Sequence, residues 1–271
     1  MKCAKASVRQ PLTYIFDLDG VIYRGAERQP YVAETLAELR KRGDTVYFYT
    51  NNSSLSRQSY ATRLQGFEIE ASVDEIMTSS YATALYLTET EAIGKTVYQI
   101  GQEGVESELS AIGMKVIKDH DEPDAHIDYV VVGIDVLFTY EKLARAQSAI
   151  LSGATFIATN EDMTYPTESG TVRPGNGAIV ASVRAATSIE PVVLGKPHGY
   201  ALQKILEHTD TPLDRAVMVG DNLATDIAAG NRIGMHTALV LTGLTSRKQA
   251  EAAQGEMKPG EIIVTLRELL K

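Results

Sequence analysis

Short apolar runs alternate with amphipathic stretches along almost the whole chain, and this alternation restricts the fold more than any other feature. A strand without polar alternation must be covered on both faces, and a helix that follows it supplies one cover. TYIF (13–16) and TVYFY (45–49) are such runs. Between them, YVAETLAELRKR (31–42) sets Val32, Leu36 and Leu39 on one helical face, and Gly43 suits the stop. RQSYATRLQG, ending near Gly66, and SYATALYLTET, from Ser80, read as further helices. Near residue 82 the pattern restarts. KTVYQIG, IDYVVVGID and ATFIATN read as strands, with EGVESELSAIG and TYEKLARAQSAILSG as helices between them. After PTESGTVRPGNG come a helix (AIVASVRAATS), a strand (PVVLG) and a helix within KPHGYALQKILEHT. RAVMVGD and HTALVLTG then read as strands of the first sheet again, and EIIVTLRELLK as a short strand and a helix. The expected fold is α/β: a doubly wound parallel-sheet core from residues 1–81 and 187–271, with an inserted α/β domain at 82–186. A chain of 271 residues is long enough to bury two such cores.

Four polar segments stand at the C-terminal ends of predicted strands, the edge at which open α/β sheets bind ligands. They are Asp17-Leu18-Asp19-Gly20, Thr50-Asn51-Asn52, Gly195-Lys196-Pro197 and Gly220-Asp221-Asn222, with Asp226 five residues after Asp221. Each has an ordinary structural explanation: a turn, a helix cap or a solvated lysine. All four at the edge of one sheet is a much less common coincidence. Asp17 and Asp19 pose the sharpest question. Two carboxylates at the end of a buried strand repel each other, so something must compensate for them.

DLDGVIYRG, YFYTNNSS, GKP and GDNLATDI, in this order and with these gaps, resemble the four motifs of the haloacid dehalogenase superfamily. The large insert between the second and third motifs resembles the C2-type cap of its NagD-like, p-nitrophenyl phosphatase branch. FIATNEDMTYPTESGTVRPGNGAIV is similar to that branch's cap segment. The resemblance runs from about residue 12 to 245. It implies a Rossmann-like core and a phosphatase that hydrolyses small phosphorylated metabolites through an aspartyl-phosphate. In the roles it implies, Asp17 is the nucleophile, and Asp19 protonates the leaving oxygen and then activates water. Thr50 and Asn51 hold the transferring phosphoryl group beside Asn52, and Lys196 supplies fixed positive charge. Mg²⁺ would be held by the Asp17 and Asp221 carboxylates and the Asp19 main-chain carbonyl, with Asp226 orienting a metal-bound water or Lys196. That cation is the compensation the acid pair needs, and hard oxygen ligands suit it. Tyr165, in the cap loop 160–177, lies where related enzymes contact substrate; a half-buried loop tyrosine is the plainer account of it.

Three other readings exist on the same motifs. A dehalogenase has no leaving oxygen to protonate, so Asp19 and a full metal set argue against it. A phosphomutase fits less well with so large an insert. A non-catalytic phosphate- or Mg²⁺-binding regulator would not need an intact nucleophile, acid and lysine. Composition limits the partners. The net charge of −9 and a pI of about 5.1 repel nucleic acid. No apolar run approaches the ~18–20 residues of a membrane helix. The single cysteine, Cys3, permits no intrachain disulfide, and no apolar signal segment precedes the first strand. The expectation is a cytoplasmic monomer or homodimer whose partner is a small phosphorylated metabolite.

Overall fold

The computed structural model describes residues 10–119, 121–122, 124–166 and 171–271; Cys3 lies outside them. Six parallel strands form the larger sheet, in the order Glu261–Ile263, His236–Val240, Ala216–Gly220, Thr13–Phe16, Thr45–Thr50, Ile76–Thr78. Every residue of Thr13–Phe16 is buried, as the unbroken apolar run requires. Ile15 stands opposite Met218 on one side and Tyr47 on the other. From this strand the chain moves outward in one direction through Thr45–Thr50, and in the other, later, through Ala216–Gly220 and His236–Val240. The order therefore reverses beside Thr13–Phe16, which opens a crevice at the carboxyl ends of the adjoining strands.

Helix Val32–Lys41 covers this sheet through Val32, Leu36 and Leu39, all buried. Gly43, at φ 83°, takes the left-handed conformation just past its end, where a side chain would be strained. The helix from Ser79 runs to Glu89, and Thr78 caps it by accepting from the Tyr81 N–H. It packs against Glu103–Ala111 on one side and Tyr200–His208 on the other. One apolar cluster therefore runs from Ile15 and Met218 through Leu87 to Val97 and Ile157 in the second sheet. Burying a side chain such as Leu87 contributes about 1.5–3 kcal/mol, so this shared cluster fixes where the second unit sits.

The second sheet is also parallel, in the order Val192–Val193, Thr155–Ala158, Tyr129–Val132, Thr96–Ile100, Lys115–Ile117. The fold is α/β with two parallel-sheet units, as the alternation predicts. Two details differ from the sequence reading. Val192–Val193 pairs with Thr155–Ala158, so it is an edge strand of the second sheet. The chain leaves that sheet after Val193 and not at 187; a two-residue strand at a half-exposed edge carries too little pattern to assign. Ile76–Thr78, the edge of the first sheet, is three residues long and was hidden for the same reason. Within YVVVGIDVLF, Tyr129–Val132 is central and buried, whereas Val136 and Leu137 are exposed.

Candidate active site

The acids that close the apolar strands come together at the crevice. The Asp17 N–H donates to the Val219 carbonyl at 2.9 Å, extending the ladder one residue past Phe16. Its carboxylate is thereby set beside the end of Ala216–Gly220, from which Asp221 projects. Asp221 Oδ2 accepts from the Leu244 N–H at 2.7 Å. A Cβ at Gly20 or Gly243 would strike the Asp221 carboxylate, and Gly20 also has φ +87°. Both positions require glycine because this carboxylate is packed between them. Leu223–Ile227 forms a wide π-type turn, a departure from helix often found at functional sites. It swings Asp226 back, so that Oδ2 accepts from the Asp221 and Asn222 N–H groups at 3.2 and 3.1 Å. Gly220 lacks the Cβ that would collide with the Asp226 side chain.

Lys196 ties the group together. Its Nζ lies 2.6 Å from Asp17 Oδ1 and 2.7 Å from Asp226 Oδ1, and donates to the Tyr49 carbonyl at 3.3 Å. Lys196 is only 2% exposed. Burial alone would drive off its proton, but Asp17 and Asp226 more than reverse this, and the ammonium stays charged. Ligand oxygens of Asp17, Asp221 and Asp226 lie within 4.8 Å of one another, all three residues buried. One ammonium cannot offset three carboxylates. Burial, reinforced by Asp226 and Asp221 and opposed by Lys196, raises the Asp17 carboxyl well above the usual range. Burial and then Asp226 push Asp221 up to about 7. Buried oxygen ligands with excess negative charge are what a small hard cation requires, so the residues fit a divalent metal.

Asp19 is half-buried on the same edge and bridges to Tyr23. Burial raises its carboxyl above the ordinary value, with Arg63 and Lys196 pulling the other way. Thr50 is buried, its Oγ1 accepting from the Asn52 N–H at 3.1 Å. Asn52 is exposed and spends its Oδ1 on the Ser54 N–H. Asn51 is buried and turns its amide to the main chain of Lys196. Tyr165 is half-buried in the hairpin Thr164–Pro166/Val172–Pro174, opposite Arg173. All these residues line one cleft of about 960 Å³ between the two sheets.

Arg63 escaped the sequence reading, and Asn160 and Asp162 were read only as part of the cap loop 160–177. Arg63 stacks 4.3 Å over the Tyr23 ring and donates to the Gly25 carbonyl, which fixes its charge near Asp19. Nothing in its helix marks it. Asn160 and Asp162 follow Thr155–Ala158 as Asp17 follows Thr13–Phe16. The strand-end rule applied to the second sheet would have found both.

A two-sheet α/β protein with an acidic, lysine-bridged crevice defines a hydrolase class, and sequence comparison gives the same class. The profile of the haloacid dehalogenase-like hydrolases matches residues 14–115, and that of the HAD-hydrolase-like group matches 193–269. An acid sugar phosphatase of Staphylococcus saprophyticus is 40% identical over 88% of this chain and 89% of its own. The 5'-nucleotidase YutF of Bacillus subtilis is 39% identical over 87% and 89%. The glycerol phosphate phosphatase Rv1692 of Mycobacterium tuberculosis, solved with magnesium, superimposes with a TM-score of 0.88. It is 32% identical, over 97% of this chain and 77% of that one. The chain belongs to the haloacid dehalogenase-like hydrolases, in their NagD-like p-nitrophenyl phosphatase branch. Within that family it is a phosphoric monoester hydrolase. No helix among the described residues is long and apolar enough to cross a membrane.

Proposed function

We propose that this chain hydrolyses small phosphorylated metabolites in two steps on Asp17, with Mg²⁺ as the divalent cation. The observation that carries this reading is the Asp17–Lys196–Asp226 bridge beside Asp221, an acid cluster with too little positive charge of its own. The Asp17 and Asp221 carboxylates and the Asp19 main-chain carbonyl would hold the cation. When bound, it removes the repulsion between the Asp17 carboxylate and a phosphate dianion.

The remaining chemistry belongs to the chain. An Asp17 carboxylate oxygen attacks phosphorus, and the bond from phosphorus to the leaving oxygen breaks as Asp19 passes that oxygen its proton. Asp19, now ionised, takes a proton from water, whose oxygen cleaves the aspartyl-phosphate and returns Asp17. The Thr50 hydroxyl and the Asn51 N–H hold phosphoryl oxygens, with Asn52 at the mouth. Lys196 stabilises the developing charge, and Asp226 orients it. Burial of Asp19 favours the protonated form that the first step needs. Residues 82–193 act as the cap: they bring Tyr165 to the leaving group and exclude water from the first step.

Purified protein should release phosphate steadily from p-nitrophenyl phosphate with Mg²⁺, stop on chelation and recover when Mg²⁺ returns. Stoichiometric phosphate binding without release would identify a regulator instead, and phosphate returned to a second hydroxyl of the substrate would identify a mutase. No turnover across a broad phosphate-ester panel would overturn the reading.

The metal also has a thermodynamic signature. Asp221 holds its proton to about pH 7 in the metal-free fold, against 3.8 for the ordinary group. A raised carboxyl stabilises the fold at low pH, and that contribution is lost as pH rises through about 7. A cation binds the ionised site and restores it. The Tm increase caused by Mg²⁺ should therefore be small at pH 5 and several-fold larger at pH 8, by differential scanning calorimetry. Equal increases at both values would remove Asp221 from the metal site.

A further inference from the structure

Asn51 makes a contact that phosphate binding does not explain. Its Oδ1 accepts from the Lys196 N–H at 2.8 Å, and its Nδ2 donates to the Lys196 carbonyl at 3.0 Å. One side-chain amide thus pairs with both main-chain polar groups of one residue, a buried clamp on the peptide that carries the ammonium. The same Nδ2 donates to the carboxylate of Asp162, at 3.2 and 3.1 Å to its two oxygens. Asp162 lies in the segment that leaves the second sheet, four residues past Ala158, and has no ion pair with a cation among the described residues. Its segment is tied down around the clamp. The Asp162 N–H donates to Asn160 Oδ1 at 3.1 Å, and Asn160 Nδ2 donates to the Asn51 carbonyl at 2.7 Å. The Gly177 N–H donates to the Asp162 carbonyl at 2.9 Å. The approach is close enough that a Cβ on Gly195 would lie 2.6 Å from the Thr159 carbonyl oxygen and 2.7 Å from Asn51 Oδ1.

We infer that Asp162 is a positioning residue for the reaction: it docks the cap on the Asn51 amide, and through that amide fixes Lys196 against Asp17. Docking of the cap and placement of the ammonium are then one event. This rests on the phosphatase reading for its effect on rate, but not for its geometry. A residue acting in this way influences the charge at the reacting phosphoryl group and not the leaving group. Its loss lowers kcat by one common factor for every substrate, whereas changes at a leaving-group contact such as Tyr165 alter KM in a substrate-dependent way.

The test joins exchange to kinetics. In Asp162→Ala the Lys196 amide, read by NMR or by hydrogen exchange with mass spectrometry, should lose protection by about tenfold. That reading needs no turnover, so it stands even if the phosphatase reading fails. Lowered kcat should accompany it, by about tenfold for both p-nitrophenyl phosphate and a sugar phosphate with KM little changed, since misplacement of about 1 Å costs up to about 10²-fold. Asp162→Asn keeps an acceptor facing Asn51 and should recover most of the loss. In an Asn51→Ala background, Asp162→Ala should add less than about twofold, because the two residues form one unit. If Asp162→Ala does not fold, Asp162→Ser, too short to reach Asn51, carries the same comparison. Unchanged Lys196 protection, or additive losses in the double variant, would overturn the inference.

Discussion

Asp17→Asn should abolish turnover, with a loss on the order of 10⁵-fold, and leave the fold intact. The scale is that of removing an attacking residue, which acts as a unit with the groups around it. The amide has nearly the shape of the carboxyl and takes its place after Phe16, where the main chain of residue 17 is already paired with Val219. Its oxygen is uncharged and far too weak a nucleophile to attack phosphorus at a useful rate. Lys196 loses the charge of its 2.6 Å partner but keeps Asp226 at 2.7 Å, so its charge is still compensated. Stability should not suffer in the metal-free protein. Burial and the neighbouring Asp226 and Asp221 already make an ionised Asp17 costly, which is why its carboxyl is raised. A neutral amide removes one repulsive charge from that cluster, so the metal-free variant should melt at or above the wild-type temperature near pH 8. Mg²⁺ should raise the Tm of the variant less than that of the wild type, because one ligand has lost its charge. Rapid-quench assays of phosphate release, set beside scanning calorimetry, check both halves. A variant retaining a tenth of the wild-type rate would show that the phosphoryl group does not pass through Asp17.

The parts of this site that could be read in the sequence share one physical property. Asp17 and Asp221 each follow, and Thr50 closes, a strand whose apolar run is long enough to recognise, so the position of the edge came with the strand. Lys196 follows a strand that was recognised but given to the wrong sheet, and its motif still marked it. Asp226 came with its spacing from Asp221, although the wide turn that brings it back could not be seen. Elements that escaped were decided by contacts far away in the chain. Val192–Val193 belongs to the second sheet because Thr155–Ala158 offers it an edge, not because of anything in its two residues. Ile76–Thr78 is a strand because Thr45–Thr50 leaves an edge free. Arg63 enters the cleft because Tyr23 and the Gly25 carbonyl hold it there. The second task of Asn51 was hidden in the same way: its partners are 111 and 145 residues away. Local pattern reveals where an apolar strand ends. It does not reveal which distant backbone a short polar side chain will meet.

Asp19→Asn separates acid–base work from metal binding and should show a different failure from Asp17→Asn. Proton transfer by a positioned side chain is worth about 10²–10⁴-fold, so steady-state kcat should fall by that amount. Only the main-chain carbonyl of residue 19 would hold the cation, so Mg²⁺ affinity should change little. The two steps should respond unequally. p-Nitrophenolate leaves readily without a proton, so the first step survives with that substrate. Water activation has no such relief, so the aspartyl-phosphate should accumulate, giving a burst of p-nitrophenol close to one equivalent of enzyme and then slow release. A sugar phosphate, whose alkoxide needs the proton, should show the loss without a burst. The pH profile supplies a further check. In the wild type acting on a sugar phosphate, kcat/KM should fall as pH rises through the Asp19 value, which burial holds above that of an ordinary carboxyl. The amide does not titrate, so this falling limb should disappear in the variant. Parallel losses of Mg²⁺ affinity and turnover, with no burst from p-nitrophenyl phosphate, would assign Asp19 to holding the metal and leave the leaving oxygen without its acid.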